Sequence, residues 1–457
     1  MAQAFFGGVH PHDMKAATNE KAIEQLAPPA VVVIPMSMHF GAPCTPLVKA
    51  GDHVKVGQKI GEFHGLGAPI HASVSGTVKA VEPRPYSMGG NITSVVIEND
   101  MQDEVSEEVQ APADPNALSV EEMVEIVKNA GIVGMGGATF PTHVKITSGI
   151  GKVNTVIING AECEPYITGD HRTMLERPEE IIGGAKFLAK MFGVDKVVIG
   201  VEDNKQNGID AMNKVIAEQK APVVVEPLRC RYPQGGEKQL CQAITGRQVP
   251  PGGLPADIGC AVFNINTTCA IYRALTTGMP VVRKIVTVSG SGVVEPKNLE
   301  CPIGTPVSSL LDACGGLKDG TYKLIAGGPM MGMAQYTADI SVAKGTGAIL
   351  AFCENEEKTV ENPQCIRCGK CVSVCPMHLE PLFMYQYASK GMVEELNDAH
   401  IMDCMECGAC AYICPARVHL THMFKTGKQL VKDKAAADRA AAEAKKKAEE
   451  AKEAAAK

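Results

Sequence analysis

The sequence has no surplus of positive charge: 44 Lys and Arg stand against 51 Asp and Glu, a formal net charge of −7. Without a basic field there is little to hold a phosphate backbone, so nucleic acid is not an expected partner. No apolar run approaches the ~18 residues that would span a bilayer. The opening residues, MAQAFFGGVH, are Gly-rich and lack the basic-then-apolar pattern of a secretory signal. The expectation is a soluble chain of a reducing compartment that meets a membrane peripherally or through a partner. Its length of 457 residues suggests roughly two to four domains, and the hydrophobic fraction of 45% is ordinary for globular cores.

Cysteine is what the chain has in quantity, 17 in all. Eight fall in two runs, CIRCGKCVSVCP from Cys365 and CMECGACAYICP from Cys404. Each is the C-x₂-C-x₂-C-x₃-C-P pattern that holds cubane iron–sulfur clusters in two-cluster ferredoxins, where the fourth Cys of a run serves the other cluster. That rule assigns Cys365, Cys368, Cys371 and Cys414 to one [4Fe–4S] centre, and Cys404, Cys407, Cys410 and Cys375 to a second. Pro376 and Pro415 turn the chain away after each fourth ligand. Zinc sites or a disulfide framework are the alternatives, but neither requires the third Cys or the trailing proline.

Upstream, residues 1–29 read as irregular. From Val31 to Asn99 short apolar strands are cut by turn signals, as in LVKAGDHVKVGQKIGEF and PIHASVSGTVKAVEP. The pattern resembles the barrel-sandwich of biotinyl and lipoyl domains. The turn that carries their modified Lys is here HGLGAP (64–69), with no Lys, so a covalent swinging arm is not expected. After an acidic linker, Ser119 and Glu122 form a capping box ahead of the helical face of Val120, Met123, Val124, Ile126 and Val127. VNTVIING, KVVIGVED, PVVVEP and AVFNIN alternate with helical segments and indicate βαβ units in an open α/β sheet. RKIVTVSG, a helix capped at Thr305, TYKLIAGG and GAILAFC suggest a β-grasp. The tail from Lys432 is almost all Ala, Lys, Glu and Asp and reads as a solvated or frayed helix.

Three loops on the α/β segment bear on chemistry. Gly134-Met-Gly136-Gly137-Ala-Thr-Phe140-Pro141 is not the G-x-G-x-x-G fingerprint and follows a helix instead of a strand. Its missing side chains still let a phosphate or flat ring approach backbone N–H groups, and Lys145 lies just downstream. A tight turn is the plainer reading of the loop taken alone. IINGAECEPYITGDHR ends a strand at Asn159 and delivers Glu162, Cys163, Glu164, Asp170, His171 and Arg172 to its carboxyl end, where open α/β sheets bind ligands. YPQGGEKQL opens a helix at Glu237 behind Gly235 and Gly236, an N-terminus suited to an anion. FNINTT follows.

GMGGATFP, NGAECEP, QGGEKQL and FNINTT are together similar, in order, to the flavin- and NADH-binding subunit of respiratory complex I. FFGGVHP, GAPIHASVSGTV, INGAECEPYITGDHR, YPQGGEKQL, GGPMMG and the ferredoxin runs more closely resemble the RnfC family, which belongs to the Rnf complexes, membrane-bound ferredoxin:NAD⁺ oxidoreductases. The resemblance covers residues 4–425. It implies noncovalent FMN against Gly134, Gly136, Gly137, Lys145, Asn159, Gly236 and Asn264, and NAD(H) beside Phe140, Glu162, Glu164 and Glu237. It departs from the complex I pattern at Ala161–Glu162, where an Asp–Glu pair is usual, and at Gly236, where the first of two Glu is usual.

The fold class so implied is multidomain α/β plus β. It comprises a barrel-sandwich domain (1–115), an α/β flavin/NADH-binding domain (116–282), an SLBB-like β-grasp (283–355) and an α-helical two-[4Fe–4S] ferredoxin-like domain (356–425), with a tail (426–457). The implied partners are the other subunits of an Rnf-type complex, an iron–sulfur subunit among them, at the cytoplasmic side of the cell membrane. No acid–base residue is expected to dominate, since hydride transfer needs alignment more than proton transfer. Two other functions fit parts of the pattern. One is the related cobalamin reductase of propanediol utilisation, which the N-terminal barrel argues against; the other is an electron-relay module without nicotinamide binding.

Overall fold

Apolar residues at alternating positions from Val31 onward build two small antiparallel sheets in the computed structural model, which describes residues 5–353 and 360–456. Strands Val31–Pro35, Asn91–Asn99, Gly76–Pro85 and His53–Val54 pair in that order, and Thr45–Pro46, Lys59–Glu62 and Ile70–His71 form the second sheet. Val32, Ile34, Val54, Ile60 and Val95 are fully buried in this barrel-sandwich. Its tight turns use Gly51 and Gly57 at φ 90° and 84°, a region strained for any residue with a Cβ.

The next segment forms a parallel sheet in the order Val223–Leu228, Val197–Glu202, Thr155–Gly160, Cys260–Asn264. These strands are near-continuous runs of Val and Ile, as expected where both faces are covered. The first three are laid down in one direction. The chain then returns to place Cys260–Asn264 on the far side of Thr155–Gly160, creating a topological switch point between those two strands. Helices Pro178–Phe192 and Ile265–Thr277 close over the sheet through small residues: a Cβ on Gly184 would lie 2.2 Å from Thr268 O. The capping box at Ser119 is present, with Ser119 Oγ accepting from Glu122 N at 3.2 Å and Glu122 accepting from Ser119 N at 2.7 Å.

The β-grasp is a six-stranded mixed sheet in the order Ile23–Gln25, Lys297–Pro302, Arg283–Ser289, Ala348–Cys353, Thr321–Ala326, Met333–Gln335. Helix Val307–Ala313 buries Val307, Leu310 and Leu311 in its core. Three features depart from the sequence reading. Residues 1–29 are not all irregular, because Ile23–Gln25 pairs in parallel with Asn298–Glu300. The strand Lys297–Pro302 escaped notice because KNLECP is polar at its start. The helix cap is Pro306, while the Thr305 hydroxyl donates back to Pro302 O at 2.7 Å.

The chain divides into two compact units, one made of residues 11–353 and the other of Phe5–His10 with 360–456. The second unit holds the Cys runs, helices Pro381–Lys390 and Val393–Asp398, and a helix from Leu420 to Ala456. This last helix runs without a break through position 426 into the Ala/Lys/Glu-rich stretch. Its Leu420, Phe424 and Val431 are buried in the unit's core, and Lys428 Nζ donates to Cys404 O and pairs with Glu406 at 2.8 Å.

Within the first unit, the fully buried Lys344 donates to Pro69 O at 2.7 Å and Gly131 O at 2.6 Å, tying the β-grasp to the barrel and to the approach of the Gly loop. Burial pulls its ammonium down to about 7. Lys344→Ala leaves two buried carbonyls unpaired and opens a cavity, so it is expected to cost about 3 kcal/mol, read as a lowered urea midpoint.

Candidate functional site

At the switch point the two strand ends lie side by side, with Asn159 paired in register with Asn264. Asn159 Nδ2 donates to Gly235 O at 2.9 Å and its Oδ1 accepts from Ala161 N at 3.1 Å, so the QGG turn is laid against the strand end. Asn264 caps helix Ile265–Thr277 by accepting from Asn266 N and Thr267 N at 2.9 and 3.3 Å. Its Nδ2 donates to Asp170 at 2.7 Å.

The glycine loop comes down on that asparagine. A Cβ on Gly136 would lie 2.6 Å from Asn264 Nδ2, whereas one on Gly137 would meet nothing within 4 Å. The first must be glycine for contact; the second faces open space. Gly134 N donates to Phe140 O at 2.9 Å, closing the loop, and Met135 N donates to Thr267 Oγ1 at 2.9 Å. Phe140 is half-buried, its ring 6.0 Å from that of Phe40.

Lys145, in helix Thr142–Gly149, donates to Val262 O at 3.0 Å and pairs with Glu237 at 2.8 Å, both side chains remaining partly exposed. Glu237 is the first residue of helix Glu237–Thr245, behind the N-cap Gly236. Gly136, Lys145, Asn159, Gly236, Glu237 and Asn264 therefore gather around one strand-end crevice, with Gly134, Gly137 and Phe140 on the loop above it.

Glu162 and Glu164 turn inward. Glu162 is buried and accepts from Asp170 N at 2.7 Å and His171 N at 3.3 Å, capping helix Gly169–Glu176, with Lys15 Nζ 3.9 Å away. Glu164 accepts from Met330 N at 3.1 Å. The GGPMMG loop wraps it so closely that a Cβ on Gly328 would sit 2.2 Å from the carboxylate. Burial pushes Glu164 up to about 7. Both acids thus spend their oxygens on backbone N–H groups.

Three supporting residues lay outside the sequence-derived set, Lys15, Thr267 and Lys284, while Asp170 was read there only as part of the loop after Asn159. Lys284 Nζ is buried and donates to Met135 O at 3.3 Å. A second charge, following Arg283 directly in the strand RKIVTVS, was the available signal.

The Cys runs are built as two copies of one turn. Arg367 and Glu406 take φ 54° and 57°, which aims their N–H groups at Cys365 Sγ and Cys404 Sγ, each at 3.4 Å. Gly369 and Gly408, at φ 73° and 79°, then start the short helices Lys370–Ser373 and Ala409–Ile413. Cys375, Cys404, Cys407 and Cys410 line one cavity. Cys365, Cys368, Cys371 and Cys414 line another. Each cavity thus draws three thiols from one run and one from the other. Among the described residues no three Cys, His, Asp or Glu side chains converge on a single-ion site.

Family models match in the same order along the chain: an RnfC barrel sandwich hybrid domain at 3–102, a Nuo51 FMN-binding domain at 127–273, an SLBB domain at 285–334 and a 4Fe-4S dicluster domain at 358–415. The C subunit of the Na⁺-translocating ferredoxin:NAD⁺ oxidoreductase complex of Acetobacterium woodii is 45% identical over 401 residues, 87% of this chain and 90% of that one. The chain belongs to the RnfC family.

The C subunit of the proton-translocating complex of Clostridium ljungdahlii is 43% identical over 88% of each chain. That of the ion-translocating oxidoreductase complex of Rhodobacter capsulatus is 41% identical over 82% of this chain and 73% of its own. An NAD⁺-reducing [NiFe]-hydrogenase structure aligns with TM-score 0.49 at 18% identity over 67% of this chain and 63% of that one, too distant to argue from. The fold class read from the sequence, with its barrel-sandwich, α/β, β-grasp and two-cluster parts, is the one found in this RnfC-family chain.

The crevice can be tested at two positions. Gly136→Ala drives a methyl into the Asn264 amide and is expected to lower flavin retention at least tenfold, measured as FMN per purified chain, while the iron content stays unchanged. For Glu164, the folded chain holds a proton between the ordinary value of 4.5 and about 7 that the unfolded chain has released. Stability therefore falls as pH rises through that window and is flat above it. Glu164→Gln removes the slope, and by pH 8 the variant should exceed the parent by about 2 kcal/mol in denaturant unfolding, with no gain near pH 4.5.

Proposed function

We propose that this chain is the nicotinamide-side subunit of an Rnf-type ferredoxin:NAD⁺ oxidoreductase. It exchanges hydride between NAD(H) and a noncovalent FMN and passes single electrons through two [4Fe–4S] clusters. The observation that carries this is the union, in one polypeptide, of a glycine-lined strand-end crevice in a Nuo51 FMN-type domain with two cavities of four thiols each. When bound, FMN converts a two-electron hydride into one-electron steps that clusters accept.

The chain's own part is to bind and align. Gly136 and Gly137 let a flat ring and its phosphate reach the loop backbone. The N-terminus of helix Glu237–Thr245 offers N–H groups to an anion, with Lys145 held beside it by Glu237. Asn159 and Asn264 fix the crevice walls, and Phe140 borders the open side where a nicotinamide would lie. Glu162, Glu164 and Glu237 complete the pocket, the first two from beneath it.

For the clusters, the proposed ligands are Cys365, Cys368, Cys371 and Cys414, and Cys404, Cys407, Cys410 and Cys375. The module limits 1–115, 116–282, 283–355 and 356–425 serve as working boundaries, with Phe5–His10 joined to the last. The chain works as a peripheral subunit of a membrane-bound complex; among the described residues no helix is long and apolar enough to cross a membrane. We place it on the cytoplasmic side, next to an iron–sulfur partner subunit, and leave ion translocation to other subunits.

The test is an anaerobic preparation assayed for about eight iron atoms and one FMN per chain, then mixed with NADH. Bleaching of the flavin bands followed by cluster reduction is expected. Cys365→Ser should leave flavin reduction intact and remove one cluster's signal. A preparation whose chromophores ignore NADH would favour a relay module without nicotinamide binding and overturn the proposal.

A further inference from the structure

Phe5–His10 packs with the cluster-bearing unit and not with the barrel that follows it in sequence. Gly8 N donates to Val374 O at 2.8 Å. Gly7, at φ +75°, lies so close that a Cβ there would sit 2.7 Å from Val374 O and 2.9 Å from the Cys375 carbonyl. The Phe6 ring stacks on His378 with centroids 4.5 Å apart and planes 19° from parallel. Phe5 and Val9 are buried. The hexapeptide therefore grips the chain on both sides of Cys375.

Cys375 is the one thiol of its cavity that comes from the first run; Cys404, Cys407 and Cys410 come from the second. Its sulfur accepts from Leu379 N at 3.4 Å. That bond depends on the turn at His378, whose φ is 56°, and the turn is held under the Phe6 ring. By contrast, Cys365 and Cys368 of the other cavity are exposed.

We propose that Phe5–His10 is a positioning strap for Cys375, fixing the reduction potential and iron retention of the cluster at Cys375, Cys404, Cys407 and Cys410 and leaving the other cluster untouched. The inference rests on the cluster assignment made above. Cluster potentials follow hydrogen bonds to sulfur and exposure to solvent. Reduction adds negative charge, which water stabilises, so a loosened strap admits water and raises the potential.

The experiment uses the full chain, prepared anaerobically with iron and sulfide. Phe6→Ala removes only a half-exposed ring, so it spares the fold; Gly7→Ala pushes the strap off. Redox titration by electron paramagnetic resonance and iron release to a chelator are followed, with Cys365→Ser marking which signal belongs to the other cluster. The expected result is a raised potential and several-fold faster iron loss for one cluster, larger in Gly7→Ala, with the second cluster and flavin content unchanged. Two unmoved signals, or two that move together, would overturn the strap alone. A parent chain that takes up no iron would overturn the cluster assignment beneath it.

Discussion

The crevice depends on one part-buried carboxylate. Asp170 accepts from Asn264 Nδ2 and from Asn266 Nδ2, and its own N–H is bound by Glu162. Burying a carboxylate is costly unless its oxygens are satisfied, so Asp170 holds both asparagines in one orientation. Asn264 so fixed caps its helix, and its amide sets how close the glycine loop can come. Lys284 and Thr267 hold the same loop at Met135. Remove the carboxylate and the asparagines that align the strand end with the loop lose their shared acceptor. A flat cofactor needs both, because alignment within fractions of an ångström governs hydride transfer.

The two electron-handling sites are made by different uses of backbone. At the crevice, glycines let backbone approach a side chain, and the open space above Gly137 is what remains for a ligand. In the Cys runs, left-handed residues do the reverse: Arg367 and Glu406 rotate their peptides so that N–H groups face a thiol. Neither arrangement relies on regular secondary structure to place its donors, and both keep the sequence short and spacing-bound.

Spacing is also why some of the chain was legible and some was not. The Cys runs were readable because ligand geometry fixes both the interval and the crossing of the fourth Cys, and the thiols do fall into those two sets of four around two cavities. The capping box at Ser119 and the Val/Ile strands were readable because each is a local pattern. Strand Ile23–Gln25 was not, since three residues gain strand character only from the distant edge at Asn298–Glu300. The inward turn of Glu162 and Glu164 was equally hidden: an acid in a glycine-rich loop looks solvated until the loop that covers it, 327–332, is known.

The least legible feature was the set of buried lysines, and three of the four share one cause, Lys205 being paired instead with Glu202. Lys15, Lys205, Lys284 and Lys344 are all buried, in a chain whose net charge is negative. Three of them donate to carbonyls of irregular segments: Lys15 to Glu164 O and Ile167 O, Lys284 to Met135 O, and Lys344 to Pro69 O and Gly131 O. Those segments flank the crevice and have no ladder to satisfy them, yet they lie too deep for water. An ammonium with three donors can serve several such carbonyls at once. A cofactor site built from loops inside a multidomain interior therefore requires long cationic side chains in its core, and the usual rule that lysine marks the surface fails where the loops are densest.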